Sequence, residues 1–229
     1  MDKQLEQLVA LTRALGEPER DYVILSEGNT SVRADGDTFW VKASGCRMAE
    51  VDERSFVQVR TQDVLDLMDG PMLPESQVRD HLAAARVDPD APGSPSIETP
   101  LHALCLTLTD ATFVGHTHPT PLNAILCARD PGAAFTGSVF PAESLVCGRP
   151  LLVRYAPPGQ PLGRAVEEAL RSAIDRRGEP PRAILLQNHG LVALGSTPQE
   201  VLDISQMMVK VARVLVGAYA LQGPRFIDT

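Results

Sequence analysis

Residues 112–119, Thr112-Phe113-Val114-Gly115-His116-Thr117-His118-Pro119, read as a buried strand that runs into two histidines and is closed by a proline. Phe, Val and Thr favour extended backbone, and proline cannot continue a central strand. Side chains at i and i+2 of a strand share a face, so His116 and His118 aim two imidazoles at one point. Just upstream, Thr99-Pro100-Leu101-His102-Ala103-Leu104-Cys105-Leu106 predicts a helix with Thr99 as N-cap and Pro100 in the first helical turn. Further out, the apolar spacing of Leu5, Leu8, Val9, Thr12 and Leu15 predicts an opening helix stopped by Gly16 and Pro18. Strands follow at Phe39–Ala43, after a hairpin turn at Asp35-Gly36-Asp37, and at Phe56–Val59, with short helices at Thr61–Met68 and Glu75–Ala85. A loop rich in breakers spans Asp88–Pro95. Downstream come a strand at Leu151–Val153, a helix at Gly163–Arg177 ended by Gly178, and a strand at Ala183–Gln187. The last helix opens on the capping box Thr197-Pro198-Gln199-Glu200 and continues to about Leu221. Strands and helices interleave throughout, so the expected fold is α/β: one domain over residues 1–229 in three layers, with a mixed or antiparallel sheet.

Composition bounds the function. A chain of 229 residues buries a full-sized core, so no metal or disulfide is needed to fold it, and a bound metal would serve chemistry. The formal net charge is −8, aromatics make up 4%, and no basic cluster occurs, which argues against nucleic acid as a partner. Any phosphate site has to be built locally. No apolar run approaches the roughly 20 residues of a membrane span. The polar start Met1-Asp2-Lys3-Gln4-Leu5-Glu6 lacks the features of a secretory signal, so the expected location is the cytoplasm. Cys46, Cys105, Cys127 and Cys147 lack metal or redox spacing and are expected to be free and mostly buried.

Five histidines occur in the whole chain, and His116, His118 and His189 fall at sharp turns after strands. Three imidazoles on adjacent strands would fill three tetrahedral positions of Zn²⁺ and leave the fourth for a carboxylate, water or substrate. Glu98 is the carboxylate candidate, although a helix N-terminus favours an acidic residue in any protein. Asn188-His189-Gly190 also reads as a plain turn. His81 and His102 read as surface or core residues. Ser26-Glu27-Gly28-Asn29-Thr30-Ser31 and Lys42-Ala43-Ser44-Gly45 offer backbone N–H groups and small polar side chains. They are either simple turns or the parts of a neutral phosphate cradle.

In this order, Gly28-Asn29-Thr30-Ser31, Lys42-Ala43-Ser44-Gly45, Pro95-Ser96-Ile97-Glu98, His116-Thr117-His118-Pro119 and Asn188-His189-Gly190 resemble the class II aldolase and adducin family. The resemblance runs from about Leu11 to Leu221. Trp40–Gly45 and Pro95–His102 look most like the aldolase half of bifunctional rhamnulose-phosphate aldolase/dehydrogenase proteins, with fuculose-phosphate aldolases also similar. The resemblance implies a central, mainly antiparallel sheet between helical layers, in a homotetramer. It implies that His116, His118, His189 and Glu98 are ligands of Zn²⁺, with Mn²⁺ or Co²⁺ as substitutes, and that Glu98 is also the catalytic acid/base. It further implies that Gly28, Asn29, Ser44, Gly45 and Ser96 hold the phosphate of a sugar phosphate. The implied reaction is cleavage of a ketose 1-phosphate to dihydroxyacetone phosphate and an aldehyde, through an enediolate stabilised by the metal. Related members are decarboxylases, epimerases or dehydratases on the same metal site, or non-catalytic binding modules such as the adducin head.

Overall fold

The computed structural model describes residues 2–227. Met1, Asp228 and Thr229, which the single-domain expectation also spans, lie outside the described residues. Among the described residues, seven strands form one sheet in the order β3-β2-β1-β4-β7-β6-β5. They are β1 Asn29–Arg33, β2 Thr38–Lys42, β3 Phe56–Arg60, β4 Phe113–Thr117, β5 Leu151–Val153, β6 Ala183–Leu186 and β7 Gly190–Gly195. Every neighbouring pair is antiparallel except β5 with β6. Among the described residues the eight α-helices are α1 Lys3–Leu15, α2 Thr61–Asp69, α3 Glu75–Ala84, α4 Thr99–Leu108, α5 Thr120–Leu126, α6 Pro141–Cys147, α7 Gln160–Arg177 and α8 Pro198–Ala220.

The helices divide between the two faces. Leu8 of α1, Leu122 of α5, Cys147 of α6 and Val211 of α8 pack with Phe113, Leu185, Leu191 and Ala193. On the other face Leu67 of α2, Leu82 of α3, Leu101 of α4 and Val166 of α7 pack with Val114, Ile184, Leu186 and Val192. Alternate residues of the central strands thus enter opposite cores. Being buried on both faces, these strands read as unbroken apolar runs rather than as alternation.

The three-layer α/β expectation holds, with local corrections. Strand β1 lies where the sequence suggested a turn. Three of its four buried residues, Asn29, Thr30 and Ser31, are polar, and two of them pair across the layers: Thr30 Oγ1 with Thr12 Oγ1 of α1, and Ser31 Oγ with His102 Nδ1 of α4. With Val32 as its one buried apolar residue, the strand shows no hydrophobic pattern. The position of Thr99 is also corrected. Glu98 occupies the cap position without a side-chain capping bond, and the Thr99 hydroxyl donates to Ser96 O. Helix α7 starts three residues before the expected Gly163, and α5 and α6 were not legible as helices. All four cysteines are free, but only Cys105 and Cys147 are buried, whereas Cys46 is half-buried and Cys127 exposed. No helix among the described residues is long and apolar enough to cross a membrane.

Strand β4 sits at the centre of the sheet, and its end abuts the start of β7. A Cβ on Gly190 would stand 2.4 Å from Thr117 O and 2.8 Å from His118 Cδ2. Gly190→Ala is therefore expected to destabilise the protein by about 1–3 kcal/mol, the range for overpacking a tight contact. Chemical denaturation measures this, and a wild-type midpoint would refute the closeness of the two strand ends.

Candidate metal centre

Strand β4 places His116 on the face that looks toward α4, and there its ring is fully buried. His118 stands one residue beyond the strand, a correction to the expected boundary, because its N–H donates to Tyr22 O rather than to a strand neighbour. His189 belongs to the β6–β7 turn. Asn188 enters the left-handed region there (φ 55°), a conformation that Asn tolerates better than most residues. Asn123 of α5 holds the turn by donating from Nδ2 to His189 O (2.9 Å).

These three elements bring the ring nitrogens together. His116 Nε2 lies 3.0 Å from His118 Nε2 and 3.3 Å from His189 Nε2. The other nitrogen of two rings is committed: His116 Nδ1 donates to Leu191 O (2.9 Å) and His118 Nδ1 to Glu27 Oε2 (2.6 Å). In the neutral rings both Nε2 atoms therefore carry lone pairs that face each other with no proton between them. A cation relieves that repulsion. A tetrahedral zinc with Zn–N distances near 2.0–2.1 Å sets its nitrogen ligands about 3.3 Å apart, close to the spacing here. Burial, only partly offset by Glu98, lowers the pKa of His116 to about 3, so it stays an unprotonated donor at neutral pH. His116, His118 and His189 thus fit a divalent cation.

Glu98 stands beside the triad, with Oε1 3.0 Å from His189 Nε2 and Oε2 3.6 Å from His116 Nε2. Burial alone would raise its pKa. His116, His189 and the Asn29 amide outweigh that and hold the carboxyl well below the usual range, so it is ionised. Asn29 Nδ2 donates to Glu98 Oε2 (2.8 Å), and Asn29 Oδ1 accepts from His102 Nε2. The Ser31 hydroxyl completes the chain by donating to His102 Nδ1 (2.7 Å). His102 is a core histidine as expected, yet through Asn29 it steadies the carboxylate.

His102 also yields a pH prediction. Burial lowers its pKa from 6.5 to about 4, with Glu98 acting weakly the other way. Between these values the unfolded chain binds the proton and the folded chain does not. The contribution of the neutral ring is thus complete above about pH 6.5, declines as the pH falls, and is gone below about pH 4. It is on the order of 3 kcal/mol. Denaturation midpoints of chelator-treated protein between pH 7 and 4.5 should fall more steeply for wild type than for His102→Gln. Parallel falls would assign the acid sensitivity elsewhere.

Beside the centre, the 42–45 turn meets the 94–96 segment. Ala43 bridges Pro95, and Ser44 N donates to Ser94 O (2.9 Å). Ser44 thus sits against the segment that leads to Glu98, whose N–H donates to Ser96 Oγ (3.2 Å). Ser44 and Gly45 are exposed. Gly45 adopts φ +84° with open space where a Cβ would stand. Gly28, at φ +73°, is packed against Met48, Val23 and His116 O, and the side chain of Asn29 is taken by Glu98 and His102. Lys42, given no role by the sequence, is buried beneath the turn. Its Nζ donates to Cys46 O (2.6 Å), and burial lowers its pKa. Glu27 was missed as well, since nothing local marks it as a partner for His118. A cavity of about 460 Å³ opens beside the triad, lined by Val23, Ile24, Glu27, His118, Asn123 and Cys127. A larger hollow of about 550 Å³ lies at the opposite end of β4 and β7, around Ala111, Arg182 and Gly195, away from the histidines.

The chain matches the model of the class II aldolase and adducin N-terminal domain over residues 6–216. It is 27% identical to 3-oxo-tetronate 4-phosphate decarboxylase of Haemophilus influenzae, an alignment covering 97% of this chain and 90% of that protein. The N-terminal class II aldolase domain of a conserved protein from Thermoplasma acidophilum superposes with a TM-score of 0.73 and 25% identity, over 94% of this chain and 95% of the other. L-fuculose-1-phosphate aldolase from Thermus thermophilus shares the fold, with a TM-score of 0.67, 21% identity and coverage of 96% and 100%.

Proposed function

The chain belongs to the class II aldolase and adducin family, and on that premise we propose that it is a carbon–carbon lyase acting on a small phosphorylated sugar derivative with a divalent cation. The observation that carries this reading is the convergence of three imidazole Nε2 atoms beside an ionised, buried carboxylate. It supports catalysis over a binding module without catalysis, because three histidines and a carboxylate make an open ligand set of the catalytic kind.

When bound by His116, His118 and His189, zinc, or manganese or cobalt by the same nitrogen and oxygen chemistry, supplies a Lewis acid that polarises a substrate carbonyl. Glu98 takes and returns the proton, held for that task by Asn29 Nδ2. Ser44, Gly45 and Ser96, together with the backbone at Gly28 and Asn29, receive the phosphate through N–H and hydroxyl donors without a net positive charge of their own. The homotetramer, the single-domain organisation and the cytoplasmic location belong to the same proposal.

Two reactions suit this machinery. Aldol cleavage of a ketose 1-phosphate to dihydroxyacetone phosphate and an aldehyde needs a base for the substrate hydroxyl, and ionised Glu98 supports it. Decarboxylation of a 3-oxo sugar-acid phosphate is supported by the Haemophilus relative. The test is to incubate metal-loaded and chelator-treated protein with rhamnulose and fuculose 1-phosphates and with a 3-oxo-tetronate 4-phosphate, reading triose phosphate and CO₂. Chelator-sensitive release of triose phosphate and an aldehyde from a ketose 1-phosphate names aldol cleavage, whereas release of CO₂ with triose phosphate from the 3-oxo-tetronate 4-phosphate names decarboxylation. A fully loaded protein that releases neither would sink the lyase reading.

A further inference from the structure

We propose that Glu27 is a positioning residue of the metal centre: it fixes the ring of His118 and sets how tightly a divalent cation is held. The inference rests on reading His116, His118 and His189 as cation ligands.

Both oxygens of Glu27 are in use. Oε2 accepts from His118 Nδ1 at 2.6 Å, and Oε1 accepts from Ile24 N at 2.8 Å. Glu27 N in turn donates to Ile24 O (3.2 Å), so the side chain is locked to its own turn. That turn needs holding, because Leu25 sits at φ 51° without the freedom of a glycine. On the far side Gly28 is wedged against Met48, Val23 and His116 O, which leaves the turn no room to slide. His118 is gripped twice by this segment, at Nδ1 by Glu27 and at its backbone N–H by Tyr22 O.

The three rings are consequently unequal. His116 donates to a neutral carbonyl, whereas His118 donates to a carboxylate whose side chain is 31% exposed. A charged acceptor forms the stronger hydrogen bond and makes the opposite ring nitrogen a better donor to a metal. It also adds a second negative charge near the centre, outside the set of residues that face the ion. Glu27 thereby ties the ion to the loop at residues 21–28, which walls the adjoining cavity.

The experiment is competition for Zn²⁺ between a chromophoric chelator and the metal-free protein, in wild type, Glu27→Ala, Glu27→Gln and His118→Ala. The visible spectrum of each Co²⁺ form and hydrogen exchange of amides 22–28 are recorded alongside. Glu27→Ala is expected to weaken Zn²⁺ binding roughly 10–100-fold, to shift the Co²⁺ spectrum and to abolish the metal-dependent protection of the loop. Glu27→Gln should lose less, since its amide oxygen still accepts from His118, and it carries the test if the alanine variant does not fold. Wild-type affinity in both Glu27 variants overturns the role of Glu27 and leaves the metal centre standing. Wild-type affinity in His118→Ala overturns the metal centre and the inference with it.

Discussion

Replacing Glu98 with glutamine is expected to leave the protein folded and loaded with its cation while turnover falls by roughly 10²–10⁴-fold, the usual worth of a positioned acid/base. The substitution keeps size and shape and still offers an oxygen to Asn29 Nδ2, now 2.8 Å from Glu98 Oε2. What it removes is the ionised oxygen beside His189 and His116, and with it the place for a proton. The three imidazoles remain to hold the ion. Elemental analysis of the purified variant and single-turnover assays check both halves of the expectation. Activity within tenfold of wild type would show that Glu98 transfers no proton in the slow step. Loss of the ion together with activity would make Glu98 chiefly a ligand.

Removing the His116 ring by His116→Ala is expected to abolish both cation binding and turnover. This ring is the hub of the triad, with its Nε2 3.0 Å and 3.3 Å from those of the other two histidines. Two remaining imidazoles cannot fill the three protein positions of a catalytic zinc site. The loss is also visible without substrate. An ion that binds only the folded state stabilises it by about 2.7 kcal/mol at a free concentration 100-fold above Kd. Added Zn²⁺ should therefore raise the melting temperature of the metal-free wild type and leave that of His116→Ala unchanged. A variant with stoichiometric zinc and full activity would remove His116 from the site.

Much of this was legible from residues alone. His116, His118 and His189 stood out because histidine is rare in this chain and these three follow strands, and the structure brings them together. Glu98 was visible at the head of a helix, where a bland electrostatic reason also existed, and its contact with the triad needed coordinates. Strand β1 was hidden because Thr30 and Ser31 are buried by partners on two different helices instead of by apolar contact. His102 looked like an ordinary core residue, and Lys42 and Glu27 like parts of turns.

The local signals, apolar period, caps, breakers and the His116–His118 pair two residues apart, were determined by the sequence because each depends on residues within a few positions of one another. The tertiary structure decided which distant polar groups pair: Glu98 with Asn29 across 69 residues, His102 with Ser31 across 71, and His118 with Glu27 across 91. The antiparallel register of β1 against β4, which sets Asn29 opposite His116, brings Glu27 to His118, and the packing of α4 on the same sheet brings Glu98 and His102 to β1. A hydrogen bond acts only within about 3 Å and in one direction, so its partner is fixed by how the layers stack and not by any pattern along the chain.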